Sequence, residues 1–188
     1  MQKESIILGV SGLIIGFLLG IIVGGKVLGG PPASAPAPAQ NAAPMVNPAD
    51  TQARIVEMEK VVARDPKNVQ AWVTLGNDYF DANNPQKSVQ AYAKALELNP
   101  DDPNVITDQG VMYRALGFYD KALANFERAN KVNPQHLQSL YNSGIVYAVD
   151  MKMPDKARTA FEMVIQRGGG GELANQAREM IKQLPAAK

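Results

Sequence analysis

Few residues in this chain could do covalent chemistry. It has no cysteine and one histidine, His136. Disulfides, thiolate metal sites, CxxCH haem attachment and cysteine nucleophiles are therefore excluded. A zinc site or a catalytic triad would have to be built around His136 alone. That residue follows Asn133-Pro134-Gln135, a loop sequence, and is expected there as a solvated side chain. Asp101, Asp102 and Asp108 do not have the spacing of a metal loop; Asp101 and Asp102 precede a helical pattern, where carboxylates cap free N–H groups. The run Gly168–Gly171 lacks the Lys-Ser/Thr that a phosphate loop needs, and reads as a hinge or cap. No catalytic residue, metal or cofactor is expected, and the chain is not read as an enzyme.

Charge excludes a further class. From Asp50 onward 17 basic residues face 17 acidic ones. Phosphate binding is driven by a basic surface that releases counterions, so nucleic acid is not an expected partner. The same balance speaks against a polybasic membrane-surface patch.

Residues 1–4 form a short tail. From Ser5 to Gly25 no charge occurs over 21 residues. A helix of about 20 apolar residues spans the roughly 30 Å hydrocarbon layer, so 5–25 is expected to be a transmembrane helix. The competing reading is a cleaved signal peptide, whose apolar region is shorter. Gly12, Gly16, Gly20 and Gly24 recur every four residues and would give a flat ridge for close helix–helix packing in lipid. A homo-oligomer formed through that ridge is the alternative role for the chain. Lys3 before the run and Lys26 after it slightly favour a cytoplasmic N-terminus. The expected location is thus the bacterial inner membrane, crossed once, with the soluble domain in the periplasm. Residues 26–49 follow as a Pro/Ala-rich linker, with six prolines between Gly29 and Ala49. Such a sequence favours extended polyproline II and acts as a spacer.

The rest of the chain repeats itself at a shift of 34. Gly76, Gly110 and Gly144 coincide, as do Tyr79, Tyr113 and Tyr147, and Pro66, Pro100 and Pro134. Tyr92 meets Phe126, and Ala95 meets Ala129. Glycine and alanine in register imply helices that cross closely. Trp72, Tyr79, Tyr92, Phe126 and Phe161 read as large knobs filling the space between neighbouring helix pairs. Pro100 and Pro134 stop the second helices of the first two units; no proline closes the third, where Gly168–Gly171 do so instead. The pattern resembles the tetratricopeptide repeat (TPR) family, whose unit is a 34-residue helix–turn–helix. The first unit carries Trp72, Leu75, Gly76, Tyr79, Ser88, Tyr92, Ala95 and Pro100. The second carries Ile106, Gln109, Gly110, Tyr113, Ala122, Phe126, Ala129 and Pro134. The third carries Leu140, Ser143, Gly144, Tyr147, Ala157, Phe161 and Val164. Gln109 departs from the family by placing an amide where an apolar residue is buried. The third unit has one residue too many between Tyr147 and Ala157, expected in its inter-helix turn near Asp150-Met151-Lys152.

This resemblance implies an all-α fold: a right-handed TPR superhelix of three repeats at 69–102, 103–136 and 137–170. Capping helices are expected at 50–66, with the stripe Ile55, Met58, Val61 and Val62, and at 171–188, with Leu173, Ala177, Met180, Ile181 and Leu184. Eight soluble helices are expected. The resemblance also implies a concave groove lined by the first helices, taking a protein or peptide partner. By register the groove positions are Gln70, Val73, Asn77, Phe80 and Asp81 in the first repeat. In the second they are Asn104, Thr107, Val111, Arg114 and Ala115, and in the third Gln138, Tyr141, Ile145, Ala148 and Val149. One subgroup of the family grips a C-terminal carboxylate through basic and amide residues. Here the matching positions are Val73, Asn77, Asp108, Gln138 and Asn142, of which only Asn77 agrees, and Asp108 would repel a carboxylate. The anchor, spacer and repeat order resembles bacterial membrane-tethered TPR proteins, including assembly factors for c-type cytochromes. That layout implies a scaffold or adaptor for an envelope complex.

Overall fold

A computed structural model describes residues 48–185. The uncharged run 5–25 with its four glycines, and nearly all of the linker, lie outside the described residues. Among the described residues the chain is wholly helical, with no strand. No helix there is long and apolar enough to cross a membrane.

Helix α1 spans Pro48–Arg64. Three hairpins follow: α2 Val69–Asp81 with α3 Pro85–Leu98, α4 Pro103–Ala115 with α5 Tyr119–Val132, and α6 Leu137–Ile145 with α7 Pro154–Gly168. Helix α8, Glu172–Gln183, closes the array. Several of the helix starts have a local cause. The side chains of Asn68, Asn84 and Asp102 accept hydrogen bonds from the free N–H groups of the helices they precede. Pro85, Pro103 and Pro154 occupy first-turn positions, where a missing N–H costs nothing.

The hairpins close on one steric device. A Cβ added at Gly76 would lie 2.5 Å from the Tyr92 ring; at Gly110 it would lie 2.6 Å from Phe126, and at Gly144 2.5 Å from Phe161. The ring of each second helix therefore lies on the bare backbone of the first. The rings are not simply wedges between neighbouring pairs, as the sequence suggests. They do both jobs: Tyr92 also packs on Val105 and Ile106 of the next hairpin, and Phe126 on Val146. Ser88, fully buried, donates from its hydroxyl to the Gly76 carbonyl at 2.9 Å and adds a polar tie to the first hairpin.

Consecutive helices pack in order along the chain, and α6 also touches α4 and α8. Helices α4 and α6, the first helices of the second and third pairs, thus adjoin directly. Both ends are sealed. Ile55 and Val62 of α1 are buried with Leu75 and Tyr79. At the other end Leu173, Ala177, Met180 and Ile181 cover Leu140, Phe161 and Val164.

The extra residue of the third hairpin sits elsewhere than in the turn. The last turn of its first helix, Val146–Asp150, is π-helical, with the Met151 N–H donating to the Val146 carbonyl. One inserted residue would rotate everything after it by about 100° on an α-helix; a single widened turn absorbs it. The turn itself keeps the form of its counterparts. A left-handed residue closes each first helix: Asn83 at φ 52°, Gly117 at 77° and Lys152 at 56°. The glycine run also differs from expectation in detail. Gly168 is still helical and lies close to α8, a Cβ there reaching 3.2 Å from Ala174; Gly169, at φ 56°, makes the break.

Gly144→Ala drives a methyl into the Phe161 ring and is expected to destabilise the fold by about 1–3 kcal/mol. Gly170→Ala meets nothing within 4 Å and is expected to be near neutral. Urea denaturation of the two variants checks the contrast.

Candidate functional site

The groove positions do not present a uniform surface. Gln70, Asn77, Phe80, Asn104 and Gln138 are exposed, and Val73, Val111, Arg114, Tyr141 and Ile145 are half-buried. Thr107 is buried, with its hydroxyl donating to the Pro103 carbonyl at 2.7 Å. It is a framework residue and has no surface to offer a partner. Tyr141 lies against Phe161, ring centroids 5.5 Å apart, and Ile145 against the same cluster, so each shows only one face.

Two clefts draw these positions together. One, of about 310 Å³, is lined by Asn77, Phe80 and Asp81 of α2, Tyr92 of α3 and Asp108 of α4. The Tyr92 hydroxyl donates to Asn77 Oδ1 at 2.8 Å and fixes the amide. Burial, reinforced by nearby Asp102, lifts the Asp108 carboxyl to about 6. The second cleft, of about 410 Å³, lies at the far end. There Ala148 and Val149 face Met180 of α8 and Leu184 just beyond it, with Lys152 also in the lining.

Between the clefts the layer is tied by polar contacts across helices. Arg114 Nε donates to Asp150 Oδ2 at 2.5 Å, joining α4 to the π-turn. His136 corrects the sequence reading, which has it solvated. It is half-buried, with Nε2 3.1 Å from Asn104 Oδ1 and Nδ1 3.4 Å from Thr107 Oγ1. Burial pulls its imidazole below the usual range, Asp102 partly opposing. It bridges the second and third repeats from the start of α6. On the first repeat Arg54 of α1 pairs with Asp78, which is 3% exposed.

Gln109 is buried and satisfied. Its Nε2 donates to the Val89 carbonyl at 3.2 Å, and its Oε1 accepts from Asn125 Nδ2 at 2.9 Å. The signal was present in the register: Gln109 and Asn125 stand where the first repeat has Leu75 and Ala91. The two departures are one hydrogen-bonded pair. Sequence reasoning also passed over a contact that recurs in all three hairpins. The ammonium groups of Lys87, Lys121 and Lys156 lie 5.0–5.5 Å from the rings of Tyr79, Tyr113 and Tyr147.

This geometry, three glycine-seated hairpins in a 34-residue register, agrees with family comparison. Residues 69–102 and 107–172 match the tetratricopeptide repeat family, together more than half of the chain. The chain belongs to the tetratricopeptide repeat family. Among solved TPR structures, that of MamA aligns with a TM-score of 0.62 at 23% identity, over 72% of this chain and 86% of that one. YrrB, described as a TPR protein with an unusual peptide-binding site, aligns with a TM-score of 0.63 at 23% identity, over 70% and 67%. The first TPR domain of Spaghetti (RPAP3), solved with an HSP90 peptide, aligns at 0.55 and 18% identity, over 63% and 94%. At these identities the likeness shows the fold. In sequence, 102 residues are 31% identical to the Homo sapiens protein O-mannosyl-transferase TMTC3, covering 53% of this chain and 11% of that protein. Superkiller complex protein 3 of Mus musculus is 24% identical over 90 residues, 48% of this chain and 6% of its own length. The chain thus spans only a small part of these relatives. The TPR fold supports a scaffold for protein or peptide binding.

Asp108 gives this TPR array a specific pH dependence. Its folded pKa, about 6, lies above the ordinary 3.8. The folded state therefore holds the proton more tightly, and ionisation costs stability as pH rises through about 4 to 6. Asp108→Asn is expected to flatten that fall. Urea denaturation at about pH 4.5 and about pH 7.5, compared for the two proteins, checks it.

Proposed function

We propose that this chain is a membrane-tethered adaptor that takes a peptide or protein segment in the concave layer of α2, α4 and α6. The observation that carries the reading is the composition of that layer where it is open. Amide side chains at Asn77, Asn104 and Gln138 and the apolar side chains of Phe80 and Val149 are all exposed on these first helices. Side-chain amides can both donate to and accept from a peptide backbone, while apolar neighbours bury its side chains.

The tether and the location rest on sequence. Residues 5–25 anchor the chain in the bilayer, and 26–49 hold the array away from it. The soluble domain stands on the periplasmic side of a bacterial inner membrane, where it assists assembly of an envelope complex.

Two measurements test the proposal. Deletion of residues 5–25 is expected to move the chain from the membrane fraction to the soluble fraction on centrifugation; continued sedimentation with membranes would count against the anchor. Partners captured by the full-length chain from detergent extracts are expected to drop out with Gln138→Ala and Val149→Arg combined. Both residues are exposed, so the melting temperature should hold. An unchanged partner set would remove the groove from the proposal.

A further inference from the structure

The cleft formed by Asn77, Phe80, Asp81, Tyr92 and Asp108 has two carboxylates in its lining and no cation. Asp108 is half-buried in its wall, and among the described residues it has neither a hydrogen-bond nor an ion-pair partner. With a pKa of about 6 it is ionised at neutral pH despite its burial. Asp81 lines the same cleft from α2; its contact to Arg54, at 3.5 Å, is solvent-exposed and screened. Arg114, a cation on the same layer, is held by Asp150 one repeat further on and cannot neutralise the cleft. The Phe80 ring is 37% exposed at the same place.

Each kind of occupant can be weighed against these groups. An anion meets two carboxylates and is repelled. An apolar side chain would take water from Asp108 and return no hydrogen bond, which penalises a buried charge. A cation on an apolar stem answers every feature: the head pairs with Asp108 and Asp81, and the stem lies on the Phe80 ring. Guanidinium suits the place better than ammonium, because its planar fork can address two carboxylates while stacking on an aromatic face.

We propose that this cleft is the specificity subsite of the concave groove and takes a basic side chain of the bound partner, arginine in preference to lysine. The proposal rests on the groove being the partner surface. The partner segment then carries one basic residue lying over the first two repeats, while the apolar cleft at Val149, Met180 and Leu184 takes a hydrophobic residue further along.

The test uses random dodecapeptides displayed on phage, panned against the full-length chain in detergent, with selected peptides synthesised and titrated. A basic residue fixed at one position is expected. Replacing it with norleucine should weaken binding to the wild-type chain about ten-fold or more, and should change little with Asp108→Asn. Lowering the pH from about 7.5 to about 5 protonates Asp108, and should weaken the parent peptide but not the norleucine peptide. Asp108 has no partner to lose, so Asp108→Asn should fold. If it does not, Asp81→Asn and Phe80→Ala read the same dependence from exposed positions. Selected peptides without a fixed basic residue, or equal binding of the norleucine peptide, would overturn the subsite and leave the groove reading intact. If no peptide is selected, or if selected peptides ignore Gln138→Ala with Val149→Arg as well as Asp108→Asn, both fall.

Discussion

The contact between an aromatic ring and a glycine backbone is the constraint from which the rest of this array follows. Tyr92 on Gly76, Phe126 on Gly110 and Phe161 on Gly144 set how closely the two helices of each hairpin approach. A ring that large admits no Cβ beneath it, so the approach distance is fixed by chemistry at two residues per hairpin. The same rings reach into the next hairpin through Val105, Ile106 and Val146. Closure within a repeat and stacking between repeats are thereby one event. Since each hairpin touches mainly its neighbours, stability in such an array is a sum of local terms. The helices α1 and α8 are needed because the outermost rings would otherwise face water.

Around this fixed contact the other positions are free to vary, and the variation is where the protein acquires individuality. Gln109 and Asn125 replace an apolar pair with a hydrogen-bonded one and leave Phe126 in place. Arg114 and Asp150 tie α4 to the end of the third repeat's first helix, and His136 ties α4 to its start. These contacts join α4 to the first helix of the third repeat. They hold α4 and α6 in a set relation, so any surface these two helices offer has its shape before a partner arrives. Preorganisation of this kind lowers the ordering cost of binding.

Repeat spacing alone made the helical hairpins readable. Gly76, Gly110 and Gly144 are small for a reason that operates within a few residues, and such reasons survive in sequence. The capping helices were readable for the same reason, their apolar stripes having a period but no repeat partner. What the sequence hid depends on three-dimensional coincidence. Thr107 has the register of a groove residue, yet it is buried, with His136 against its hydroxyl. His136 sits in a loop motif that normally faces water, and its two contacts come from residues 29 and 32 positions earlier. Asp108 could be seen to repel an anion, but that it lacks a partner and shares a cleft with Phe80 emerges only once α2 and α4 are set side by side. The extra residue was visible as a count, whereas its place inside the helix was decided by a competition between distorting a turn and distorting a helix.

The π-turn at Val146–Asp150 settles that competition in a way that bears on how such chains change length. In a helical array an insertion is a phase error: left uncorrected, every later side chain points to the wrong azimuth. Here the error is dissipated within five residues. Ala157, Phe161 and Val164 keep the inward bearing of their counterparts one repeat earlier and are all fully buried. The α-helical ladder is interrupted to achieve this, since the widened turn takes i to i−5 bonds in place of i to i−4. Locally the helix gives up regularity, and in exchange the downstream hairpin is insulated from the change. A lineage can therefore add a residue at the end of a first helix without rebuilding the packing beyond it, which makes this position a natural place for repeat arrays to drift in length.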